Sequence, residues 1–211
     1  MFSIENLCES ISEKISKELD LDYEKKSVIS YGIFAIIQTI ISILVVVIVG
    51  VFLNVTKEAL IISFTISILR KSSGGVHASS PGRCAIIGAI IAGVMGIVCK
   101  NINLSVLSSI LIAILTFAWS YLIIYKLAPV DSSSKPINSK VKRSRLKKIS
   151  LKVLSIYMCI IIVNIIVSTI KKDDTLLANN MCIYAGVIWQ IFSLTKNGHL
   201  FMKKLDSLLM I

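Results

Sequence analysis

Long apolar stretches constrain the fold of this chain more than any other feature. Hydrophobic residues make up 55% of its 211 residues and the mean hydropathy is +0.82, which exceeds what a soluble domain of this length shows. The excess is concentrated in six runs, at residues 28–53, 59–69, 84–99, 104–125, 153–170 and 175–195. Runs of about 18 or more apolar residues indicate transmembrane helices. The sequence therefore predicts an all-α, polytopic membrane helical bundle that forms one domain over residues 1–211.

The second run leaves the number of crossings open between four and six. It has only 11 apolar residues, which as a helix would cover about 16 Å of a hydrocarbon core about 30 Å thick. Either it gains further turns from residues 54–58, or it is a half-length helix that forms a re-entrant pair with the third run.

Residues 1–27 are polar and mixed in charge, with apolar side chains at helical spacing. These are Ile4, Leu7, Cys8, Ile11, Ile15 and Leu19. Such a pattern is typical of an amphipathic helix with one apolar face. We expect this helix to lie along the membrane surface or to pack under the bundle.

The distribution of positive charge predicts the orientation in the membrane. The segments before the first run, between the second and third, at 126–152 and after the sixth hold 19 of the 23 lysines and arginines. Basic residues accumulate on the cytoplasmic side. With six crossings, both termini, the 70–84 loop and the 126–152 loop are predicted to be cytoplasmic. The net charge of +11 is therefore interpreted as an orientation signal, and no nucleic-acid partner is expected.

Residues 126–152 form the most basic segment, with nine lysines and arginines against one acid, Asp131. Serines 132–134 and prolines 129 and 136 favour an irregular connection before the last two apolar runs, in 153–195. Two interpretations remain open: the segment rests on anionic membrane lipids, or it docks an acidic peptide. Residues 196–211 are expected to be a C-terminal tail.

The polar loop at residues 70–84 is where chemistry is most concentrated. It holds Gly74-Gly75, one of only two histidines, His77, and one of five cysteines, Cys84. Ser80-Pro81 is a helix start, because a hydroxyl caps the first turn and proline suits its first position. Cys84 then lies in the first turn, where the positive end of the helix dipole favours a thiolate. The glycines predict a flexible approach along which the His77 imidazole folds back onto the thiol.

A cysteine with a histidine base within hydrogen-bond reach is what nucleophilic catalysis requires. Backbone amides around residues 82–84 are expected to be free to stabilise an oxyanion. The alternative is an interfacial histidine beside a buried cysteine. Because no CxxC or other metal-ligand spacing occurs, neither a metal nor another cofactor is expected. The remaining cysteines are interpreted as small apolar packing residues.

Arg70, Gly74-Gly75, His77 and Cys84, between membrane segments of a basic chain of about 200 residues, resemble the accessory gene regulator protein B (AgrB) family. The resemblance covers nearly the whole chain and extends to the N-terminal amphipathic region and the basic loop. It implies a membrane cysteine endopeptidase of a Gram-positive bacterium, located in the cell membrane. Its substrate would be an AgrD-like propeptide, which it cuts and helps convert into a cyclic quorum-sensing peptide.

The resemblance also implies roles for the matching residues. Cys84 would be the nucleophile and His77 the base, while Gly75 would shape the loop. Arg70 would orient the loop or bind a substrate carboxylate. The loop contains no Asp or Glu, so a third residue that orients His77 is not identified.

Two other functional classes compete with this interpretation. A small transporter or channel would account for the polytopic bundle, although no ionisable residue lies in the middle of a span, where ion pathways usually place one. A membrane acyltransferase would use Cys84 on lipid-derived acyl groups. Small residues along the third run permit close helix packing, within the subunit or across a homodimer.

Overall fold

The computed structural model describes residues 4–131, 137, 139–172 and 174–208, and over these residues the protein is all-helical. The predicted fold class is thereby confirmed. The serines and the proline at 132–136, which favoured an irregular connection, lie outside the described residues. The helices are α1 (Ile4–Glu18), α2 (Tyr23–Phe52), α3 (Thr56–Ser73), α4 (Pro81–Lys100), α5 (Val106–Leu127), α6 (Lys140–Lys171), α7 (Thr175–Phe192) and α8 (Lys196–Leu208).

Five of the described helices, α2, α4, α5, α6 and α7, are long and apolar enough to cross a membrane. The chain is thus a multi-pass membrane protein, within the predicted range of four to six spans. The second apolar run belongs to α3, which has 18 residues and is about 27 Å long. α3 packs along α4: Val55 and Glu58 lie against Gly96 near the end of α4. It is therefore not a half-length helix, because it gains turns at both ends of the apolar run.

The chain divides into two compact units, Met1–Leu44 and Val45–Ile211. The first unit contains α1 and the first part of α2. On α1 the buried side chains are Cys8, Ser12 and Ser16, while Leu7 is 43% exposed; Leu19, directly after the helix, is 64% exposed. The amphipathic helix is present as predicted, but the face buried within this unit is shifted from the predicted apolar stripe toward its serines.

The second unit has a buried apolar core between α3, α5, α6 and α7. Side chains at its centre are fully buried, including Leu69, Ile124, Leu154, Tyr184 and Ile191. Polar groups inside it are paired across helices, as expected for polar residues in membrane bundles: Asn164 Nδ2 donates to Asn180 Oδ1 at 2.8 Å. The core packs together the C-terminal ends of α3, α5 and α7, which lie next to the 70–84 loop.

The small residues of α4 are used for packing within the subunit. A Cβ added at Gly93 would lie 2.8 Å from Leu53 and 2.9 Å from Val49, and one at Gly96 would lie 3.2 Å from Val55. The interpretation of this face as a packing surface holds, and its partner is the chain's own α2–α3 region. A homodimer stays a prediction.

Two segments differ from their predicted conformation. Residues 126–152 are only partly an irregular connection, because α6 begins at Lys140 and carries the basic residues 140–152 as a helix. Lysine and arginine are good helix formers, and Ser139 caps the start by accepting from the Lys142 N–H at 3.4 Å. Residues 196–208 of the predicted tail form the helix α8.

Candidate active site

Cys84 lies in the first turn of α4, as the sequence predicts. Ser80 is the N-cap, and its hydroxyl accepts from the Arg83 N–H at 3.3 Å. Pro81 occupies the first helical position. Because the proline has no N–H to satisfy and the serine caps the Arg83 N–H, the helix begins abruptly at this point. The side chain of Cys84 is half-buried at this end of α4.

The structure brings His77 and Cys84 together. His77 Nδ1 and Cys84 Sγ are 4.0 Å apart, which is the outer limit for a hydrogen bond to sulfur. Catalytic hydrogen bonds are often long in the absence of substrate. The second histidine, His199, is partly buried on α8, where Nδ1 lies 2.8 Å from the Thr195 carbonyl oxygen. It therefore has a local structural contact and takes no part in this pair.

The environment of His77 favours the neutral imidazole. Although the residue lies at the surface, partial burial of the ring lowers its pKa to about 4, and the positive charge of Arg70 contributes to the decrease. A neutral imidazole is the form that can accept a proton from the thiol. At neutral pH the ring is therefore ready to act as a base.

Arg70, at the end of α3, is a cation that the loop encloses. Its Nη2 donates to the Val76 carbonyl oxygen, one residue before His77. Its Nε atom is buried without a hydrogen-bond partner among the described residues. The guanidinium interacts electrostatically with both His77 and Cys84. This contact supports the loop-orienting role among the two suggested for Arg70, and the charge is placed where it would stabilise a thiolate.

The two glycines before His77 allow close contacts rather than flexibility. Gly74 has φ +71°, and a Cβ there would collide with the Val130 carbonyl oxygen. The Val130 N–H donates to the Ser73 carbonyl oxygen at 2.9 Å. Gly75 has φ +131°, and a Cβ there would come within 2.8 Å of Ser193 Oγ. Since both positions combine a positive φ with close neighbouring atoms, of backbone at Gly74 and of side chains at Gly75, glycine is required. The predicted flexible approach is instead a fixed turn.

Gln190 of α7 holds the same turn from the other side. Its side chain is 0% exposed, and Nε2 donates to Ser73 Oγ at 3.0 Å and to the Gly74 carbonyl oxygen at 2.8 Å. Its Oε1 has no hydrogen-bond partner among the described residues. Gln190 was not among the predicted site residues. The only signal was a polar side chain within an apolar run.

Asp206 of α8 reaches the loop beyond His77. Its carboxylate accepts from the Ser79 N–H at 3.0 Å and from the Ser79 hydroxyl at 3.1 Å. The loop itself contains no acid, and this carboxylate arrives from 127 residues away along the chain. Because residues 196–211 were expected to be a tail, sequence reasoning could not place Asp206 here.

The predicted oxyanion donors are mostly engaged in the helix start. The Arg83 N–H donates to Ser80 Oγ, and the Cys84 N–H donates to the Ser80 carbonyl oxygen at 3.0 Å. The expectation of free amides across residues 82–84 is therefore wrong for Arg83 and Cys84. Within the described part of the chain, the Gly82 N–H has no recorded partner and remains the one candidate of the three.

The basic N-terminal part of α6 lies at the same end of the bundle, because Ser150 Oγ donates to Ser72 Oγ at 3.1 Å. Two of its cations are engaged: Arg143 pairs with Asp131 at 2.7 Å, and Lys147 donates to the Tyr125 carbonyl oxygen at 2.7 Å. Among the described residues, the other four cations of residues 140–148 are exposed and no ion pair or side-chain hydrogen bond is seen for them. We call these the free cations of α6: Lys140, Lys142, Arg145 and Lys148.

Comparison with known proteins gives a consistent picture. Residues 8–194 match the family model described as Accessory gene regulator B. A protein of Clostridium perfringens strain SM101 is 43% identical over 209 residues, and one of strain 13 is 41% identical over 207 residues, each alignment covering 97% of both chains. Their names describe them only as AgrB-like. No solved structure matches the chain.

Proposed function

Because the chain belongs to the accessory gene regulator B family, which has a role in the agr quorum-sensing system, we propose that it is a membrane cysteine endopeptidase with Cys84 as nucleophile and His77 as base. The observation that carries the proposal is the 4.0 Å approach of His77 Nδ1 to Cys84 Sγ at the start of α4. The family implies an AgrD-like propeptide as partner. We propose that this propeptide is the substrate, presented at the cytoplasmic face of a Gram-positive cell membrane.

The chemistry follows from this pair. His77 accepts the Cys84 proton, and the thiolate attacks a peptide carbonyl carbon of the propeptide. As the C–N bond breaks, the imidazolium returns the proton to the departing amine, and the C-terminal tail leaves. The remaining propeptide is then held on Cys84 as a thioester. If a substrate cysteine attacks the acyl carbon, a ring thioester forms and the Cys84 thiol is released; a serine would give a lactone.

Arg70 supports the ionic states of this mechanism. Its charge interacts with Cys84 and with His77. Its charge near Cys84 would favour a thiolate, and its charge near His77 keeps the imidazole neutral before proton transfer. A cation enclosed by the loop thus lowers the energy of negative charge on sulfur and keeps the base neutral beforehand. The Gly82 N–H is the amide left to donate to the oxyanion.

The free cations of α6 supply a docking surface for an acidic segment of the propeptide. They lie on the helix whose Ser150 contacts Ser72 beside the loop. Because they are exposed, an attraction to carboxylates would be weakened by salt. Changing Lys142, Arg145 and Lys148 to Gln should raise KM at low salt and remove its salt dependence. A KM that does not change with salt in the wild type would remove the docking proposal.

Co-expression with a tagged propeptide tests the proposed function directly. The candidate substrate is a small amphipathic peptide encoded next to the gene. Wild type should yield a shortened propeptide or its thioester adduct by intact mass, while Cys84→Ala and His77→Ala should yield only full-length propeptide. Both variants should insert in the membrane at wild-type levels. Cleavage that persists in Cys84→Ala would contradict the proposal, and unchanged propeptide with wild type would shift weight to a transporter or an acyltransferase.

A further inference from the structure

The segment between His77 and Cys84 is held by a carboxylate from the far end of the chain. We propose that Asp206 is a positioning residue of the active site, and that α8 is therefore part of the catalytic unit. This inference rests on the proposed function, because it assigns Asp206 to the geometry of the His77–Cys84 pair. It gives the C-terminal helix a role that its position after the last span does not suggest.

Both oxygens of the Asp206 carboxylate are used on one residue. Oδ2 accepts from the Ser79 N–H at 3.0 Å, and Oδ1 accepts from the Ser79 hydroxyl at 3.1 Å. Asp206 is only 8% exposed. A carboxylate buried to this extent is stable only with charge-assisted hydrogen bonds, and two of them fix the direction as well as the distance of Ser79.

Arg83 completes the cluster. Its Nη1 donates to Ser79 Oγ at 2.7 Å and lies 4.0 Å from Asp206 Oδ1. The Ser79 hydroxyl thus accepts from Arg83 and donates to Asp206, so its hydrogen-bonding capacity is used in both directions. Because Arg83 offsets the charge of Asp206, the carboxylate adds little repulsion to a thiolate on the neighbouring Cys84.

The contacts assign Asp206 to positioning and not to a catalytic triad. Among the described residues, the only hydrogen bond recorded for the His77 ring is the one to Cys84. Asp206 instead holds Ser79, two residues after the base, and lies beside Arg83, directly before the nucleophile. Asp206 therefore fixes both Ser79 and Arg83 in the segment between His77 and Cys84. The path of this segment decides whether Cys84 Sγ and His77 Nδ1 come within hydrogen-bond distance.

The assignment is tested with Asp206→Asn in the full chain, using two readouts. In a cleavage assay with the purified variant and the propeptide identified by co-expression, kcat should fall about 10- to 100-fold with KM within about twofold, since a displacement of about 1 Å has that effect. The second readout is the rate at which iodoacetamide alkylates Cys84 at pH 7, followed by mass spectrometry of the peptide that contains it. That rate should fall toward the His77→Ala value. The matched control is Ser207→Ala, the exposed neighbour on α8, which should leave both readouts at wild type.

A second variant guards against a simple folding defect. Ser79→Ala removes only the hydroxyl, and its loss of kcat should not add to that of Asp206→Asn, because both break the same contact. Wild-type kcat in Asp206→Asn, an increase in KM alone, or a lower kcat with an unchanged alkylation rate would each overturn the assignment. So would full additivity of the two changes.

The outcome also separates this inference from the proposed function. If Cys84→Ala still cleaves the propeptide, the proposed function fails, yet the alkylation rate still reports whether Asp206 sets the reactivity of the thiol. If Cys84→Ala is inactive and Asp206→Asn is fully active, only the positioning role fails.

Discussion

The two connections that flank α4 are built in different ways. The side-chain hydrogen bonds of residues 101–105, which follow the helix, go to nearby groups: Asn101 Nδ2 donates to the Ile97 carbonyl oxygen at 2.8 Å, and Ser105 Oγ lies 3.0 Å from Ser108 Oγ. Residues 74–80, which precede it, contact residues from three other parts of the chain. These are Val130, Gln190 and Asp206.

This difference shows what a precise site requires in a membrane bundle. A local turn is specified by its own residues and forms once the helices on either side form. The 74–80 loop adopts its shape only when the ends of α5, α7 and α8 are in place. Functional residues need supporting contacts that lock their geometry, and in this protein the supports come from distant helices. The shape of the 74–80 loop therefore depends on helix packing within the second unit.

The largest effect is expected at Gly74. Gly74→Ala should reduce propeptide cleavage about 100-fold or more, because its positive-φ conformation costs a non-glycine residue about 1–3 kcal/mol and the new Cβ collides with Val130, which displaces His77. The matched control is Gly88→Ala in α4, where a Cβ meets nothing within 4 Å. Cleavage by the purified variants, measured after equal membrane insertion is verified, decides the matter. Equal activity in both would show that the 74–80 loop is as tolerant as an ordinary helix surface.

An intermediate effect is expected at Gln190, whose side-chain amide supports the 74–80 loop, compared with Asn101 in the 101–105 connection. Gln190→Ala leaves Ser73 Oγ and the Gly74 carbonyl oxygen without their donor in a buried site, and it should lower the free energy of unfolding by about 1–3 kcal/mol. Asn101→Ala removes an exposed contact and should change it by at most about 0.5 kcal/mol. Thermal unfolding in detergent measures both. Similar losses at the two positions would remove the distinction between local and distant support.

The smallest effect is a shift in pH dependence. Arg70 donates to the Val76 carbonyl oxygen in the 74–80 loop, and Lys100 donates to the Asn54 carbonyl oxygen between α2 and α3. Only Arg70 is enclosed beside His77. With its pKa near 4, His77 stays neutral at pH 5 to 7, so wild-type kcat/KM should fall only as the pH drops through about 4. Arg70→Gln removes a cause of the lowered pKa and should move this acid limb to higher pH, toward the ordinary histidine value of about 6.5.

Lys100→Gln should leave the acid limb in place, and Arg70→Lys, which keeps the charge, should hold it near the wild-type position. The sign is the informative part of this measurement. An acid limb that moves to lower pH in Arg70→Gln, or one that lies near pH 6.5 in the wild type, would contradict the proposed environment of His77.

Several features of the site were predictable because their causes are local. Apolar runs specify helices of the observed type, and Ser80-Pro81 specifies where α4 begins. That start places Cys84 in the first turn, and the spacing to His77 allows the two side chains to meet. These rules act over a few residues, so they can be applied to one sequence without knowledge of the remaining chain.

The remaining features depend on contacts that no local rule contains. Gln190 and Asp206 lie more than 110 residues from the groups that they bind, and which helix ends meet is decided by packing of the whole bundle. The glycines at 74 and 75 illustrate the same point. Read locally, a glycine pair indicates a flexible turn, whereas here it marks positions where neighbouring backbone and side chains leave no room for a Cβ.

The length of α6 has a consequence for the substrate. At 32 residues the helix is about 48 Å long, which exceeds a hydrocarbon core of about 30 Å. Ser150 lies at the level of Ser72, and Lys142 is two turns further out, an axial rise of about 12 Å. An extended peptide crosses that distance in about four residues. Under the proposed function, α6 would select propeptides by the spacing between the cleaved bond and the acidic residues as well as by charge.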